Sequence, residues 1–246
     1  MIRQEIIDCL ELASMPDQSV EEMKRLTNFV VVGGGPTGIE LAAELHDFLV
    51  QDLRRWYPHI ADYVKITVLE ASDRILGSFA TELGDYTSRL FRKRKINLLT
   101  DSLVSEVTEQ GVILQNGERL QSKLKIWTAG IVPRTLLTSL NIQLDQDSRV
   151  KVDPYLAVRD FRNIYALGDC AQIEGADLPA TTQVAQQQGK YLAQALNRKA
   201  LGKKVKPFVY RNLGMLVYVG NSRALAEIGP IHWKGFGAWV FWRSVL

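Results

Sequence analysis

The run Gly33-Gly34-Gly35-Pro36-Thr37-Gly38 contains three glycines in the spacing G-x-G-x-x-G. Between a strand and a helix, the first glycine permits a tight turn and the second lets backbone approach a pyrophosphate. The third lets the helix pack close to the strand, and the helix N-terminus offers N–H groups and partial positive charge to phosphates. The loop, with Pro36 and Thr37 at the start of its helix, is therefore predicted to bind a dinucleotide.

The elements around this loop support the motif, which on its own would be weak evidence. The β-branched run Phe29–Val32 is typical of a buried parallel strand, and a long helix is predicted from Ile39 to Arg55. A second strand is predicted over Val64–Leu69. Strand, glycine turn, helix and strand together predict a right-handed βαβ unit.

Glu70 follows the second predicted strand directly. A carboxylate there accepts hydrogen bonds from the adenosine ribose hydroxyls and repels a 2′-phosphate, which favours NADH over NADPH. The separation from the glycines exceeds the usual ~20 residues, because the helix and the Trp56-Tyr57-Pro58 turn are long. The alternatives are a solvated glutamate at a strand end, and a 2′-phosphate accommodated by Arg74.

A second nucleotide signal lies in the run Asn163–Asp169, where a predicted strand over 163–166 precedes Gly168 and Asp169. The Asp169 carboxylate suits a ribityl hydroxyl of a flavin. The helix predicted from Thr181 to Asn197 would aim its positive end at the flavin edge that gains negative charge on reduction. The alternative is an aspartate that only caps a helix.

Composition limits the other functions. The 246-residue chain has 46% hydrophobic residues and a net charge of +3 with scattered basic residues, so nucleic acid is not an expected partner. Cys9 and Cys170 form no CxxC pair, which excludes a dithiol motif and most zinc sites, and no metal is expected. No run reaches the ~20 apolar residues of a membrane span, and residues 2–5 do not resemble a targeting peptide.

The rest of the chain is predicted to alternate short helices and strands, with a division near residue 145. Asn116-Gly117 between apolar runs predicts a β-hairpin. Further helices are predicted over 3–14, 19–26 and 82–94, and strands over 96–99, 103–107, 111–114, 123–128, 213–219 and 224–228.

These motifs together resemble the type II, or alternative, NADH:quinone oxidoreductases, which do not pump protons. The similarity runs in order over nearly the whole chain and is nearest to the mitochondrial and plant-type enzymes. The matching blocks are Val30–Glu40, Val68–Ala71, Ile126–Gly130, Tyr165–Ala171 and Thr182–Gln187.

The resemblance implies an α/β flavoprotein fold with two dinucleotide-binding domains, and FAD and NADH as cofactors. Residues 29–145 would form the Rossmann-like NADH domain, inserted in an FAD domain. A helical segment over 1–28 and the second half at 146–205 would belong to that FAD domain. Residues 206–246 would begin a membrane-associated C-terminal region.

The resemblance also assigns roles to individual residues. Gly168, Asp169 and Gln183 would hold FAD, and Ala129-Gly130 would end the strand that returns towards the flavin. Glu40 would lie near the nicotinamide and the flavin, where it could stabilise their stacking or pass protons. By itself, Glu40 is equally a first-turn glutamate that favours the helix dipole.

The family's quinone pattern A-Q-x-A-x-Q corresponds here to Thr182-Gln183-Val184-Ala185-Gln186-Gln187, with Thr in place of the first Ala. Gln183 and Gln187 are four residues apart on a predicted helix, so they share a face where two amides could bracket a quinone carbonyl. The alternative is a solvated polar stripe extended by Gln186 and Lys190.

The aromatic C-terminal run, Trp233 to Trp242, suits a membrane interface, a core-packing helix or an interface to a further segment. The resemblance implies peripheral attachment to the mitochondrial inner membrane, through the C-terminal region of the family, and homodimer formation.

The family also carries an earlier glycine loop for FAD, and nothing before residue 29 matches it. The sequence is therefore expected to hold half a flavin site, as part of a longer enzyme or as a shortened product. Another flavin reductase of the same superfamily and an inactive NAD(H)-binding module are the alternative functions.

Overall fold

The computed structural model describes residues 2–131 and 135–245. The chain forms two compact units, the first of residues 1–129 and 214–246 and the second of residues 130–213. Five residues lie outside the described ranges. They are Met1 in the predicted range 1–28, residues 132–134 in the range 29–145, and Leu246 in the range 206–246.

The helices of the described residues agree with most of the predicted positions. The predicted helix over 39–55 differs, because the α-helix begins at Pro36, ends at Phe48 and continues as a π-helical turn over Leu49–Leu53. The helices are α1 (Ile2–Ala13), α2 (Val20–Thr27), α3 (Pro36–Phe48), α4 (Arg54–Trp56), α5 (Thr81–Lys93), α6 (Thr135–Ser139), α7 (Thr182–Ala200) and α8 (Phe236–Val245).

The strands form four small sheets in the described part of the chain. They are β1 (Asn28–Val32), β2 (Lys65–Leu69), β3 (Asn97–Leu99), β4 (Val104–Val107), β5 (Gly111–Leu114), β6 (Arg119–Gln121), β7 (Lys125–Trp127), β8 (Val150–Val152), β9 (Ala171–Ile173), β10 (Met215–Tyr218), β11 (Ala224–Ile228) and β12 (Ile231–Gly235).

The central sheet of the first unit has the strand order β3-β2-β1-β7, and every pair in it is parallel. All five residues of β1 are buried, as the continuous β-branched run predicts for a strand covered on both faces. The strand order reverses at β1, because β2 lies on one side of it and β7 on the other. Ligands of open α/β sheets bind at such a point, beyond the carboxyl ends of the strands.

Two antiparallel sheets complete the first unit. The sheet β4-β5-β6 contains the hairpin predicted at Asn116-Gly117, which is confirmed. The sheet β10-β11-β12 is followed by α8, whose Trp242 stacks on Tyr218 with ring centroids 5.2 Å apart. Trp239 and Trp242 thus pack on the core, whereas Phe236 is 65% exposed.

The second unit has a small core around Val150, Val152 and Leu156, covered by α7. Strands β8 and β9 pair in parallel, and Leu144 pairs with Val150. Leu144 packs against this core and so belongs to the second unit. The boundary between the compact units lies at residue 130, whereas the sequence placed a division near residue 145.

The strand predicted over 163–166 is wrong. Asn163 has a φ of +62°, a left-handed conformation that a strand does not accommodate. The segment is a loop that meets its neighbour through one isolated bridge between Ala157 and Tyr165. The Val158 N–H donates to the Ile164 carbonyl, so local hydrogen bonds replace a strand ladder.

Candidate dinucleotide-binding site

The glycine loop joins the carboxyl end of β1 to the first turn of α3. Gly33 has a φ of +113°, where a side chain would be strained, and its N–H donates to the Leu69 carbonyl of β2 at 2.8 Å. Leu76 N–H donates to the Gly34 carbonyl at 2.8 Å, which ties the loop to the chain after β2. Backbone contacts therefore hold the loop in place from two sides.

The motif glycines differ in the space around them. A Cβ on Gly38 would lie 1.9 Å from the Gly33 carbonyl oxygen, so only glycine allows α3 to pack this close to the loop. A Cβ on Gly35 would meet nothing within 4 Å, although Gly35 has an ordinary extended backbone. The chain thus needs no glycine at position 35 for its own packing, which is the pattern expected where a ligand approaches the backbone.

The start of α3 is open in the same region. Gly35 is the N-cap residue and has no side chain to cap the helix, while Pro36 occupies the first position. Pro36 and Thr37 are exposed. Because the first N–H groups of an α-helix lack intrahelical acceptors, this end attracts an anion.

Glu70 lies against the loop at the carboxyl end of β2. Its Oε2 accepts a hydrogen bond from Gly34 N–H at 2.7 Å, and its Oε1 accepts from the Ser72 N–H at 2.8 Å and from the Ser72 hydroxyl. Partial burial raises the pKa of Glu70, but these hydrogen bonds to the charged form outweigh it and lower the pKa below its usual value. The carboxylate is therefore ionised at neutral pH and held beside the loop.

The carboxyl end of β7 completes this edge. The Thr128 hydroxyl donates to the Val32 carbonyl at 2.9 Å, and the Thr128 N–H donates to the same carbonyl at 2.8 Å. Ala129 packs on the cluster around Val30. The structure therefore brings together the loop, Glu70 and Ala129, while Gly130 is the exposed first residue of the second unit.

Glu40, one turn into α3, faces the C-terminal part of the first unit. Its Oε1 accepts a hydrogen bond from the Tyr218 N–H at 2.9 Å, and the Trp242 side chain also bonds to the carboxylate. Burial raises the pKa of Glu40, and these two hydrogen bonds offset the rise only in part. The carboxyl group is thus a half-buried acid with a raised proton affinity.

Asp169 is exposed in a 3₁₀ turn over Gly168–Cys170 in the second unit. The turn is held by Gln188, a residue 2% exposed, whose Oε1 accepts from the Gly168 N–H at 2.6 Å. A cavity of about 360 Å³ lies beside Asp169 and is also lined by Arg149 and Ala180. Asp169 supplies an acidic acceptor, Arg149 supplies a basic side chain, and Ala180 lies just before α7. This lining fits a polar group rich in hydroxyls.

Gln183 and Gln187 lie on one face of α7, as the spacing predicts, and both bind the chain that follows the helix. Gln183 Oε1 accepts hydrogen bonds from the Tyr210 hydroxyl at 2.7 Å and from Leu213 N–H at 2.9 Å. The Gln187 amide donates to the Arg211 carbonyl at 2.8 Å and accepts from the Arg211 N–H at 3.0 Å. The pair is therefore not a purely solvated stripe.

Sequence reasoning missed three residues that shape these regions. Thr128 holds the edge of the central sheet, Ser72 orients the Glu70 carboxylate, and Gln188 holds the Gly168-Asp169 turn. Thr128 lies in a block that the resemblance had already marked. The position of Gln188 five residues after Gln183 gave no comparable signal, because only the fold brings it to Gly168.

In residues 2–131 and 135–245, no group of three or more His, Cys, Asp or Glu residues could hold a metal ion. No helix within these two ranges is long and apolar enough to cross a membrane.

Known proteins resemble this chain over nearly its whole length. Residues 6–189 match the family model described as pyridine nucleotide-disulphide oxidoreductase. The chain is 41% identical to a probable NADH dehydrogenase of Dictyostelium discoideum, over 99% of this chain and 54% of that protein. It is 35% identical to the mitochondrial internal alternative NAD(P)H-ubiquinone oxidoreductase A1 of Arabidopsis thaliana, over 99% of this chain and 51% of that protein.

A solved structure has the same fold. The structure of NDH2 from Plasmodium falciparum in complex with NADH has a TM-score of 0.94, with 24% identity, over 99% of this chain and 66% of that one. The predicted α/β dinucleotide-binding flavoprotein fold is confirmed. The chain spans about half the length of the curated relatives that it matches.

Proposed function

The chain belongs to the pyridine nucleotide-disulphide oxidoreductase family, and from that premise we propose that it binds NADH within an FAD-dependent NADH:quinone oxidoreductase that does not pump protons. The expected resemblance to the type II enzymes is confirmed by the names of its relatives. The observation that carries the proposal lies at the carboxyl ends of the central strands, where the space at Gly35 is open and the ionised Glu70 accepts a hydrogen bond from the neighbouring Gly34.

NADH would lie across this edge with its pyrophosphate against Gly33, Gly35 and the first turn of α3, near Pro36, Thr37 and Gly38. Glu70 would exchange its hydrogen bond from the Gly34 N–H for bonds from the adenosine ribose hydroxyls. Its negative charge opposes a 2′-phosphate, which favours NADH over NADPH. Ala129 and Gly130 would line the path of the nicotinamide.

FAD would be held in part by the second unit. The lining of the cavity beside Asp169 fits the polar part of this cofactor, and Gly168 and Gln183 would contribute to the same site. A bound flavin would accept a hydride from NADH and pass electrons to the quinone. The chain's own role is to orient these groups, with Asp169 as the hydroxyl acceptor and the α7 N-terminus as a positive end.

The quinone would bind at the Gln183 and Gln187 amides, which are four residues apart on one face of α7. Glu40 would act near the nicotinamide and the flavin, where its raised pKa suits a group that takes up and releases a proton. Both assignments come from the family resemblance and are supported by the shared helix face and by the half-buried carboxyl group.

We also propose a division of the chain into domains. Residues 29–145 would form the NADH domain, 1–28 and 146–205 parts of the FAD domain, and 206–246 the start of a membrane-associated region. Attachment would be peripheral, at the mitochondrial inner membrane, and the enzyme would form homodimers. The exposed rings of Trp233 and Phe236 support an interfacial contact, and several relatives are named mitochondrial.

The test is to purify the chain, titrate it with NADH and NADPH, record its flavin absorbance and measure NADH-dependent reduction of a short-chain ubiquinone. We expect NADH to bind more tightly than NADPH, and Glu70→Gln to reduce that preference by roughly tenfold. Glu118→Gln, on the exposed β5–β6 turn, is the control. Equal binding of both nucleotides by the wild type would refute the NADH assignment.

The flavin absorbance and the quinone assay distinguish the possible functions of this polypeptide. Bound flavin with quinone turnover supports an active reductase. NADH binding without flavin or turnover would instead make this polypeptide an NAD(H)-binding module. Turnover with another acceptor and none with quinone would favour a different reductase of the superfamily.

A further inference from the structure

Residues 203–213, here called the strap, run from the end of α7 back along that helix without helix or strand structure. Side chains of α7 bind the strap at several points along the helix. The Arg198 Nε donates to the Lys204 carbonyl and the Tyr191 hydroxyl to the Lys206 carbonyl, both at 2.8 Å. Gln187 and Gln183 then bind the far end of the strap.

Phe208 is the anchor in the middle of the strap. Its ring meets Tyr191 edge-on with centroids 5.4 Å apart, and its N–H donates to the Pro154 carbonyl at 2.8 Å. Beyond this anchor, the distal strap (residues 209–213) has little buried surface, since Val209 is 72% exposed and Leu213 is 66% exposed. Its position therefore depends on hydrogen bonds to α7 more than on packing.

The orientation of the Gln187 amide is fixed by the strap. The Arg211 carbonyl can only accept and the Arg211 N–H can only donate, so the amide nitrogen and oxygen each have one compatible partner. At Gln183, the Leu213 N–H is likewise a pure donor, so the atom that faces it is the amide oxygen. Both predicted quinone-binding amides are thus hydrogen-bonded to the strap in this conformation.

We propose that the distal strap is a lid over the amide face of α7, and that Gln187 is the positioning residue that fastens it. The inference rests on the proposed quinone site. A quinone carbonyl accepts hydrogen bonds, so it would compete with the Arg211 carbonyl for the Gln187 amide N–H. Quinone binding releases the distal strap, and Phe208 keeps the rest of the strap in place.

The fastening is tested by proteolysis, because Arg211 is a trypsin site inside the distal strap. Gln187→Ala removes both hydrogen bonds to Arg211, and we expect cleavage after Arg211 to become roughly tenfold faster. Gln186→Ala is the matched control, since Gln186 is the exposed neighbour on the same helix. Equal cleavage rates in the wild type and Gln187→Ala would overturn the role of Gln187.

The lid is tested by hydrogen exchange with a short-chain ubiquinone, while binding is followed by isothermal titration calorimetry. We expect saturating quinone to accelerate exchange at the Arg211 and Leu213 amides roughly tenfold. Quinone binding with unchanged exchange would overturn the lid and leave the proposed function standing. Absence of quinone binding would overturn the quinone site and the lid together, whereas trypsin cleavage would still report the fastening.

Discussion

The glycine-loop edge of the first unit and the α7 face of the second unit are built by different means. At the loop, backbone conformation and close approach set the geometry, as at Gly33 and Gly38. At α7, side chains hold irregular segments by one or two hydrogen bonds each, two between Gln187 and Arg211 and one between Gln188 and Gly168. The first kind of site is preorganised, whereas the second kind can rearrange when one contact is exchanged.

Replacing helix glycines with alanine tests this contrast most strongly. Gly38→Ala places a Cβ 1.9 Å from the Gly33 carbonyl oxygen, so α3 and the loop must separate. We expect the free energy of unfolding to fall by about 3 kcal/mol, with loss of NADH binding, as measured by denaturant titration.

The matched control is Gly189→Ala in α7, where a Cβ meets nothing within 4 Å. Alanine is the better helix former, so this variant should be more stable by up to about 1 kcal/mol. If both variants were destabilised alike, the close approach at Gly38 would not be what shapes the loop.

The buried amide of Gln188 gives the next largest effect. Gln188→Ala leaves the Gly168 N–H without its acceptor, and we expect a loss of about 1–2 kcal/mol in the second unit. Hydrogen exchange at Gly168 should accelerate, while exchange in β1 stays constant. Gln186→Ala, at an exposed position on the same helix, should change neither.

The smallest predicted effect is a pH dependence from Glu40. Burial raises the pKa of this carboxyl group above its usual value of 4.5, so the folded state binds the proton more tightly than the unfolded state. The free energy of unfolding therefore decreases as pH rises from about 4.5 through the raised pKa.

Glu40→Gln should remove this part of the decrease, because an amide oxygen still accepts from the Tyr218 N–H but does not titrate. The measurement is urea unfolding at a series of pH values between 4.5 and 8. Glu21→Gln, at an exposed position of α2, is the control. A pH profile identical to the wild type would contradict the account of Glu40.

The same contrast explains how much the sequence could predict. The βαβ unit and the glycine loop followed from residue types and local spacing, because a β-branched run and glycines constrain the backbone directly. Glu70 was found because it directly follows a strand whose end must meet the loop. Most helix and strand positions were predicted within a few residues.

The features that the sequence did not predict depend on long-range contacts or on local backbone conformation. The strand predicted over 163–166 failed because Asn163 adopts a left-handed conformation that its apolar neighbours do not reveal. Gln188 and the strap were missed because a side chain that binds distant backbone leaves no periodic pattern in the sequence. The π-helical turn at Leu49–Leu53 ended α3 early within a continuous helical pattern.

The central claim is that NADH lies against the open backbone of Gly35, and calorimetric titration of Gly35→Ala with NADH tests it most directly. The added methyl group meets no protein atom within 4 Å, so the variant should fold, with only the small loss of stability that alanine causes as a poorer N-cap residue. We predict that NADH binding weakens at least roughly tenfold, because the methyl group occupies the space of the pyrophosphate. Wild-type NADH affinity in a folded Gly35→Ala variant would contradict the account.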